Sequence, residues 1–337
     1  MQRPTLMIAA GVFAGMTAAR LILLRRRIDL RGKVSFVSGG SRGLGLLIAQ
    51  ELARRGAKVA ISARDAAELA RAEPQLRSIS DDVLTVAGDM TVREEAEAAI
   101  ERVRREFGPI DVLVNNAGTI RVGPIETMTA EDYENSIQTH FWGPYFTISA
   151  VLPSMQQRRF GRIVNISSIG GKISVPHLVP YSVGKFALTA FSEGTRSELL
   201  KDNVYVTTVC PGLMRTGSPR NAFFKGNNRA EYAWFSISDS MPLISMSANR
   251  AARQIVNACV RGDAEVVLSV PAKLAARIHG LFPGATADLL SIVNRLLPPP
   301  GGIGAEARTG KESFSKVSPS WATALNEQAA RNNNQIA

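Results

Sequence analysis

The stretch 33–56 restricts the fold of this chain more than any other. Lys33–Ser38 (KVSFVS) is apolar and β-prone, and Gly39-Gly40-Ser41-Arg42-Gly43-Leu44-Gly45 follows at once. Leu44–Arg55 then carries apolar residues at helical spacing and stops at Gly56, a residue suited to a helix C-terminus. Glycines let a backbone turn sharply and come close to a ligand, and a helix N-terminus offers N–H donors and a favourable dipole to phosphate. Strand, glycine loop and helix in this order form the phosphate-binding opening of a dinucleotide fold.

The alternation continues along the chain. Lys58–Ala63, Val83–Ala87, Ile110–Val114, Arg162–Ile166, Val204–Val209 and Glu265–Ser269 read as strands. Between them, Glu94–Phe107, Ala130–Gln157, Pro180–Leu200 and Ala248–Val260 read as helices. This pattern predicts an α/β protein with a doubly wound parallel sheet (a Rossmann fold), forming a single catalytic domain over 30–270. Ligands of such sheets bind beyond the carboxyl ends of the strands. The run from Leu213 to Met241 looks irregular, with Phe223, Phe224, Tyr232, Trp234 and Phe235 among Gly, Asn and Ser. Those aromatics either line a pocket for an apolar substrate or pack the loop onto the core.

The second strand ends at Ala63-Arg64, at the offset of about 20 residues where an acid would hold the ribose 2′-hydroxyl of NAD. Arg64 stands there instead, and Arg42 lies in the glycine loop. Two guanidiniums suit a 2′-phosphate, which points to NADP(H). The alternative is a pair of solvated surface arginines, and Asp65 is an acid close by.

Val164–Lys185 carries the reactive groups. An apolar run ends in Ser167 and Ser168, a loop with Gly and Pro follows, and Tyr181 and Lys185 stand four residues apart. Pro180 suits the first position of a helix, which would put both side chains on one face. A free phenol titrates near pH ~10. An adjacent ammonium favours the phenolate and moves the group toward the range useful for acid–base catalysis.

Ser38-Gly39-x3-Gly43-x-Gly45, Asn115-Asn116-Ala117-Gly118, Ser168, Tyr181-x3-Lys185 and Pro211-Gly212 together resemble the short-chain dehydrogenase/reductase family over about Leu30–Val270. The resemblance implies Tyr181 as general acid/base, with Lys185 binding the nicotinamide ribose and lowering the tyrosine pKa. Ser168 would hold the substrate oxygen. Gly39, Ser41, Arg42, Gly43, Leu44, Gly45 and Arg64 would hold the phosphates and ribose. Asp89 and Met90 would contact the adenine, Asn115 and Ala117 the adenosine side, and Pro211, Gly212 and Thr216 the nicotinamide end. Ser38 replaces the usual threonine. His140-Phe141-Trp142-Gly143 replaces the family's Asn-x-x-Gly, whose asparagine kinks the long helix and anchors a water linking the lysine to solvent. His140 either carries that relay, titrating near neutral pH, or is a packed substitute.

The expected activity is NADP(H)-dependent interconversion of a carbonyl and a secondary alcohol on a lipophilic substrate. The rival is a non-catalytic NADP(H) sensor. A nucleic-acid partner has only the net charge of +11 in its favour, and more than half of that excess lies in residues 1–33, which hold seven Lys/Arg and one Asp. That placement fits a membrane flank better than a nucleic-acid face. Leu6–Leu24 is long enough to span a bilayer, and Arg25-Arg26-Arg27 would keep the following domain in the cytoplasm. Residues 1–29 thus read as an apolar helix and membrane anchor. A signal peptide or a helix lying on the surface are the alternatives.

Residues 271–300 form an amphipathic extension that either lies on the membrane or packs on the domain. Residues 301–337 read as a polar, disordered tail. Cys210 and Cys259 suit buried thiols, and no metal motif is present. The resemblance implies a homo-oligomer, which the anchor can limit.

Overall fold

Seven parallel strands build one sheet in the computed structural model, which describes residues 26–336. They are β1 (Val34–Ser38), β2 (Lys58–Ala63), β3 (Val83–Ala87), β4 (Val112–Asn115), β5 (Gly161–Ile166), β6 (Val204–Pro211) and β7 (Glu265–Leu268). Their order across the sheet is β7-β6-β5-β4-β1-β2-β3. β1, β4 and β5 are buried at every residue, which is why they read as mostly apolar rather than half-polar segments. The order reverses beside β1, between β2 and β4, and the glycine turn and the end of β4 both lie at that switch point.

Helices cover both faces. On one side lie α1 (Gly43–Arg54), α2 (Ala66–Arg77) and α8 (Ala248–Arg261), whose Leu46, Leu52, Leu76 and Ile255 share a core with Val37, Ile61 and Val114. On the other lie α3 (Arg93–Phe107), α5 (Gly143–Arg158) and α6 (Val179–Leu199), which pack on Phe36, Leu113 and Ile163.

The long helix expected over Ala130–Gln157 is two helices, α4 (Ala130–Ile137) and α5, joined through a single π turn at Gln138–Trp142. Gly143 N–H reaches back to the Gln138 carbonyl, the five-residue closure that widens a helix. Pro144 then restarts the α geometry. His140 lies in the widened turn.

The region read as irregular, Leu213–Met241, holds a helix, α7 (Asn228–Ser240). Its aromatics face inward: Phe224, Tyr232 and Phe235 form a small core with Val122 and Ala222. Buried ion pairs from Asp132 to Arg121 (2.8 Å) and Lys225 (2.5 Å) tie this lobe to α4. The packing reading therefore holds for these three rings, and they say nothing of a substrate.

The extension is a helix pair, α9 (Val270–Leu281) and α10 (Pro283–Asn294), with Leu281, Phe282 and Leu296 exposed. The tail expected to be disordered is folded. Arg308–Thr309 pairs with Phe223–Phe224, and α11 spans Ala324–Asn332. A polar composition misleads here because its polar groups find partners in the lobe. Asn326 accepts from the Gly217 amide (2.9 Å), Ser236 and Ser318 share a hydrogen bond, and Arg220 pairs with Glu327. The apolar stretch Leu6–Leu24 lies outside the described residues. Among the described residues, no helix is long and apolar enough to cross a membrane.

Candidate active site

The carboxyl ends of β1, β4, β5 and β6 bring the expected residues to one edge of the sheet. Ser168 follows β5 and caps a short 3-10 turn, its Oγ accepting from the Gly170 N–H at 3.0 Å. Gly170 separates Ser168 from Tyr181: a β-carbon on it would lie 3.1 Å from Tyr181 Cε1 and 3.5 Å from Ser168 Oγ. Tyr181 and Lys185 share the first turns of α6, which Pro180 opens. Lys185 is buried, with Nζ donating to the Ile166 carbonyl (2.8 Å) and standing 5.7 Å from the centre of the Tyr181 ring. Ser167 fixes the helix from below, donating to the Lys185 carbonyl at 3.0 Å.

His140 enters from the π turn, with its ring edge-on to that of Tyr181 at 5.4 Å between centroids. Its Nδ1 meets Ser136 Oγ at 3.2 Å, while its buried Nε2 has no partner among the described residues. A β-carbon on Gly118 would lie 3.1 Å from that Nε2 and 3.7 Å from Lys185 Nζ, so the imidazole and the ammonium border one small space.

Burial dominates the electrostatics. Loss of water pushes the Tyr181 phenol up to about 12; hydrogen bonding to Ser168 opposes the rise, and the carboxyl of Asp239 adds to it. The same desolvation brings Lys185 down to about 7. Burial, and then the Lys185 charge, hold His140 well below its ordinary value, so it is a neutral imidazole at physiological pH. Of the two readings of His140, burial and the neighbouring Lys185 charge favour the neutral, packed one. For Tyr181, desolvation outweighs any lowering by Lys185, whose Nζ is turned to the Ile166 carbonyl.

At the other end of the crevice, Gly39 and Gly43 take left-handed φ of +64° and +58°, which a side chain would resist. Gly45 passes so close beneath Gly39 that a β-carbon would lie 2.1 Å from its carbonyl oxygen. α1 starts at Gly43, and the first N–H groups of a helix have no partner within it. The glycine turn therefore fits the phosphates of a dinucleotide, which would sit against Gly43, Leu44 and Gly45.

The remaining expected residues fall around this turn. Ser38 Oγ accepts from the Asn116 amide (3.2 Å), clamping β1 to the end of β4, which is the role its hydroxyl retains. Ala117 touches Gly39 directly. The Asn115 side chain is committed inward, donating to Asn165 (2.9 Å) and accepting from Thr147 (2.7 Å). Asp89 accepts from the amide and hydroxyl of Thr91, and Met90 is buried next to it. Pro211 ends β6, Gly212 bonds to Leu268, and Thr216 accepts from the Ser218 amide.

The two arginines differ. Arg64 is largely exposed, 3.7 Å from Asp89. Arg42 is paired with Glu68 at 2.5 Å, and Ser41 donates to the same carboxylate. Asp65 caps α2, accepting from the Ala67 and Glu68 amides, and so is taken up by the helix. Sequence reasoning missed Glu68 because it missed α2, a polar helix with Pro74 inside it. It also missed Asp239, a buried acid in α7 whose own pKa burial pushes up to about 8. A lone acid within Ser-Ile-Ser-Asp-Ser is the only signal it leaves.

A family model described as short chain dehydrogenase matches residues 33–224. The putative oxidoreductase SadH of Mycobacterium tuberculosis is 34% identical over 258 residues, covering 75% of this chain and 92% of that protein. A short-chain dehydrogenase from Streptomyces avermitilis has a solved structure similar at a TM-score of 0.68, with 29% identity over 78% of this chain and 97% of that one. L-sorbose reductase from Gluconobacter frateurii, solved with NADPH and L-sorbose, is similar at a TM-score of 0.62, with 27% identity over 72% of this chain and 97% of its own.

Proposed function

The chain belongs to the short-chain dehydrogenase/reductase family and is an oxidoreductase of that family; from this premise we propose that it reduces a carbonyl on a lipophilic substrate with NADPH, Tyr181 giving the proton. The observation that carries the reading is the convergence of Ser168, Tyr181 and Lys185 at the end of β5. When bound, the cofactor supplies the hydride, and the protein's part is to orient the carbonyl and supply the proton. Ser168 holds the carbonyl oxygen. The phenol, pushed up to about 12, keeps its proton until a far more basic alkoxide-like oxygen develops beside it. Lys185, near 7, can return a proton, and the neutral His140 with its open Nε2 stands on the path toward Ser136.

Preference for NADP(H) is supported by the presence of Arg42 and Arg64, which a 2′-phosphate would have to draw from Glu68 and Asp89, and by the engagement of Asp65 in capping α2. A lipophilic substrate is supported only indirectly, by a cleft of about 610 Å³ between the loop ahead of Tyr181 and the helix pair, which Val179 borders but Ser168, Tyr181 and Lys185 do not line. Ile173, Val175 and Val179 line one wall, and Leu290 and Leu297 the other. The intact catalytic set disfavours a mere sensor.

Turnover of lipophilic ketones with NADPH and with NADH tests the reading. Tyr181→Phe is expected to lower turnover by roughly 10²–10⁴-fold while NADPH binding stays unchanged. Equal activity in the variant would end the mechanism.

Membrane association belongs to the same reading, with the domain on the cytoplasmic side. The exposed Leu281, Phe282 and Leu296 lie beside Lys273, Arg277 and Arg295, a combination suited to an anionic lipid surface. Replacing the three apolar residues by Asp in the full chain is expected to weaken sedimentation with phosphatidylserine vesicles. Equal sedimentation removes the helix pair from the reading.

A further inference from the structure

The residues that end the described chain lie in the cofactor crevice. The Gly43 N–H, at the start of α1, donates to the Asn333 carbonyl at 2.8 Å. Asn334 donates from Nδ2 to the Ser41 carbonyl (2.8 Å) and the Glu68 carbonyl (3.2 Å), and its Oδ1 accepts from Arg71 Nε at 3.3 Å. Asn333 donates to the Thr216 carbonyl at 3.3 Å. Gln335 accepts from Asn221 (2.6 Å), and its Nε2 lies 2.5 Å from where a β-carbon on Gly43 would be. Behind them, Ala330 presses on Gly217, at 2.4 Å from its missing β-carbon. Asn333, Asn334 and Gln335 are all buried.

These contacts are not scattered. Ser41, Gly43 and Thr216 are three of the groups that would hold a dinucleotide, at its ribose, phosphate and nicotinamide ends. One short peptide bridges all three. It supplies a carbonyl to the helix-terminal N–H that a phosphate oxygen would otherwise take, since each offers an acceptor to the same donor. It also fastens the backbone of Glu68, whose carboxylate holds Arg42 and Ser41. The tail thus engages the phosphate turn directly and the candidate 2′-phosphate arginine through Glu68.

We propose that residues 332–336 are an intrasteric plug of the cofactor site: the plug and NADP(H) compete for the Gly43 turn, and the cofactor enters only when the plug leaves. The inference rests on reading that turn as the NADP(H) site. When a binding-competent state is only a fraction of the population, the apparent Kd rises by the inverse of that fraction. Release of the plug therefore tightens binding. A strap that closes over bound cofactor would do the opposite.

The experiment measures NADPH binding by fluorescence on three full-length proteins: wild type, Asn334→Ala and Asn334→Gly. A fourth protein, ending at Arg331, is measured beside them. Removing the plug is expected to lower the NADPH Kd by roughly tenfold, mainly through faster association, with the asparagine variants in between. Hydrogen exchange on the wild type without cofactor is expected to show a protected Gly43 amide and protected residues 333–336. Added NADPH should expose 333–336 while Gly43 stays protected. Unchanged or weaker NADPH binding in both the asparagine variants and the shortened chain would overturn the plug. Absence of both NADPH and NADH binding in every protein, with the tail still protected, would instead overturn the reading of the turn as a dinucleotide site. Loss of fold in the shortened chain alone leaves the asparagine variants to decide.

Discussion

The two ends of the crevice are held by different means. At the catalytic end, Ser167, Lys185, Thr189, Asn165 and Ser192 are fastened by buried hydrogen bonds between β5 and α6, two consecutive elements. The groups around Tyr181 are therefore set by the sheet itself. At the phosphate end, Ser41, Gly43 and Glu68 are engaged by Asn333 and Asn334, nearly the whole chain away. The catalytic end is preorganised by local structure, and the phosphate end depends on a remote segment that can be exchanged for a ligand. An active site need not be uniformly rigid: chemistry demands fixed side chains, whereas cofactor entry demands something that yields.

The largest effect expected on cofactor affinity breaks the phosphate end alone. Gly45→Ala places a β-carbon 2.1 Å from the Gly39 carbonyl oxygen and 2.4 Å from Asn116 Nδ2. The Gly39 carbonyl cannot retreat without moving the end of β1, and Asn116 can turn aside only by losing its hydrogen bond to that carbonyl, so the turn must open. NADPH affinity is expected to fall by about 100-fold, equivalent to roughly 2.7 kcal/mol. The sheet should survive, and circular dichroism checks that. Affinity within a factor of about two of wild type would show that the turn tolerates what its geometry forbids.

A smaller effect probes the catalytic end. His140→Leu removes the unpartnered Nε2 while filling the same space, and kcat is expected to fall about tenfold, below the span typical of a group that transfers the proton itself, since His140 only assists. His140→Asn restores a hydrogen-bonding side chain in the π turn and should recover much of the loss. NADPH affinity should not change in either, since His140 does not touch the phosphate end. Equal loss in both variants would make His140 a packing residue.

These regions differed as much in legibility as in construction. The parallel sheet was readable because its buried strands are short, mostly apolar and bounded by turn residues, and the residues that matter stand at their ends, as Ser168 does after Ile166. Tyr181 and Lys185 were readable because one helix spacing joins them. The π turn was not, since Ala130–Gln157 keeps one apolar rhythm across it and only Gly143-Pro144 marks the restart. α2 and α7 were hidden by their polar residues, and the tail by its composition. Asn332-Asn333-Asn334 reads as disorder because composition carries no record of a partner 293 residues away. The two readings of His140 could not be separated in sequence, because burial is invisible there.

The smallest effect concerns Asp239, which brings a buried carboxyl from the lobe toward Tyr181. Desolvation pushes its pKa from 3.8 to about 8, so the folded protein binds this proton more tightly than the unfolded chain does. Stability from that difference is fully present below about 3.8 and is lost as pH rises toward about 8. Lys185 runs the other way: lowered to about 7, it adds stability as pH rises from there toward 10.5 and is silent below. Between pH 4 and 7 Lys185 is silent, whereas His140, held well below 6.5, adds stability as pH rises; the comparison with a variant that keeps His140 removes that contribution. Thermal unfolding of wild type is expected to weaken with pH across this window relative to Asp239→Asn, which has no proton to lose, by a few degrees in Tm. A wild-type curve parallel to the variant's would mean that Asp239 is ionised in the folded protein. The phenol would then face a full negative charge, holding its proton more firmly still, and the catalytic end would be less settled by local structure than its hydrogen bonds suggest.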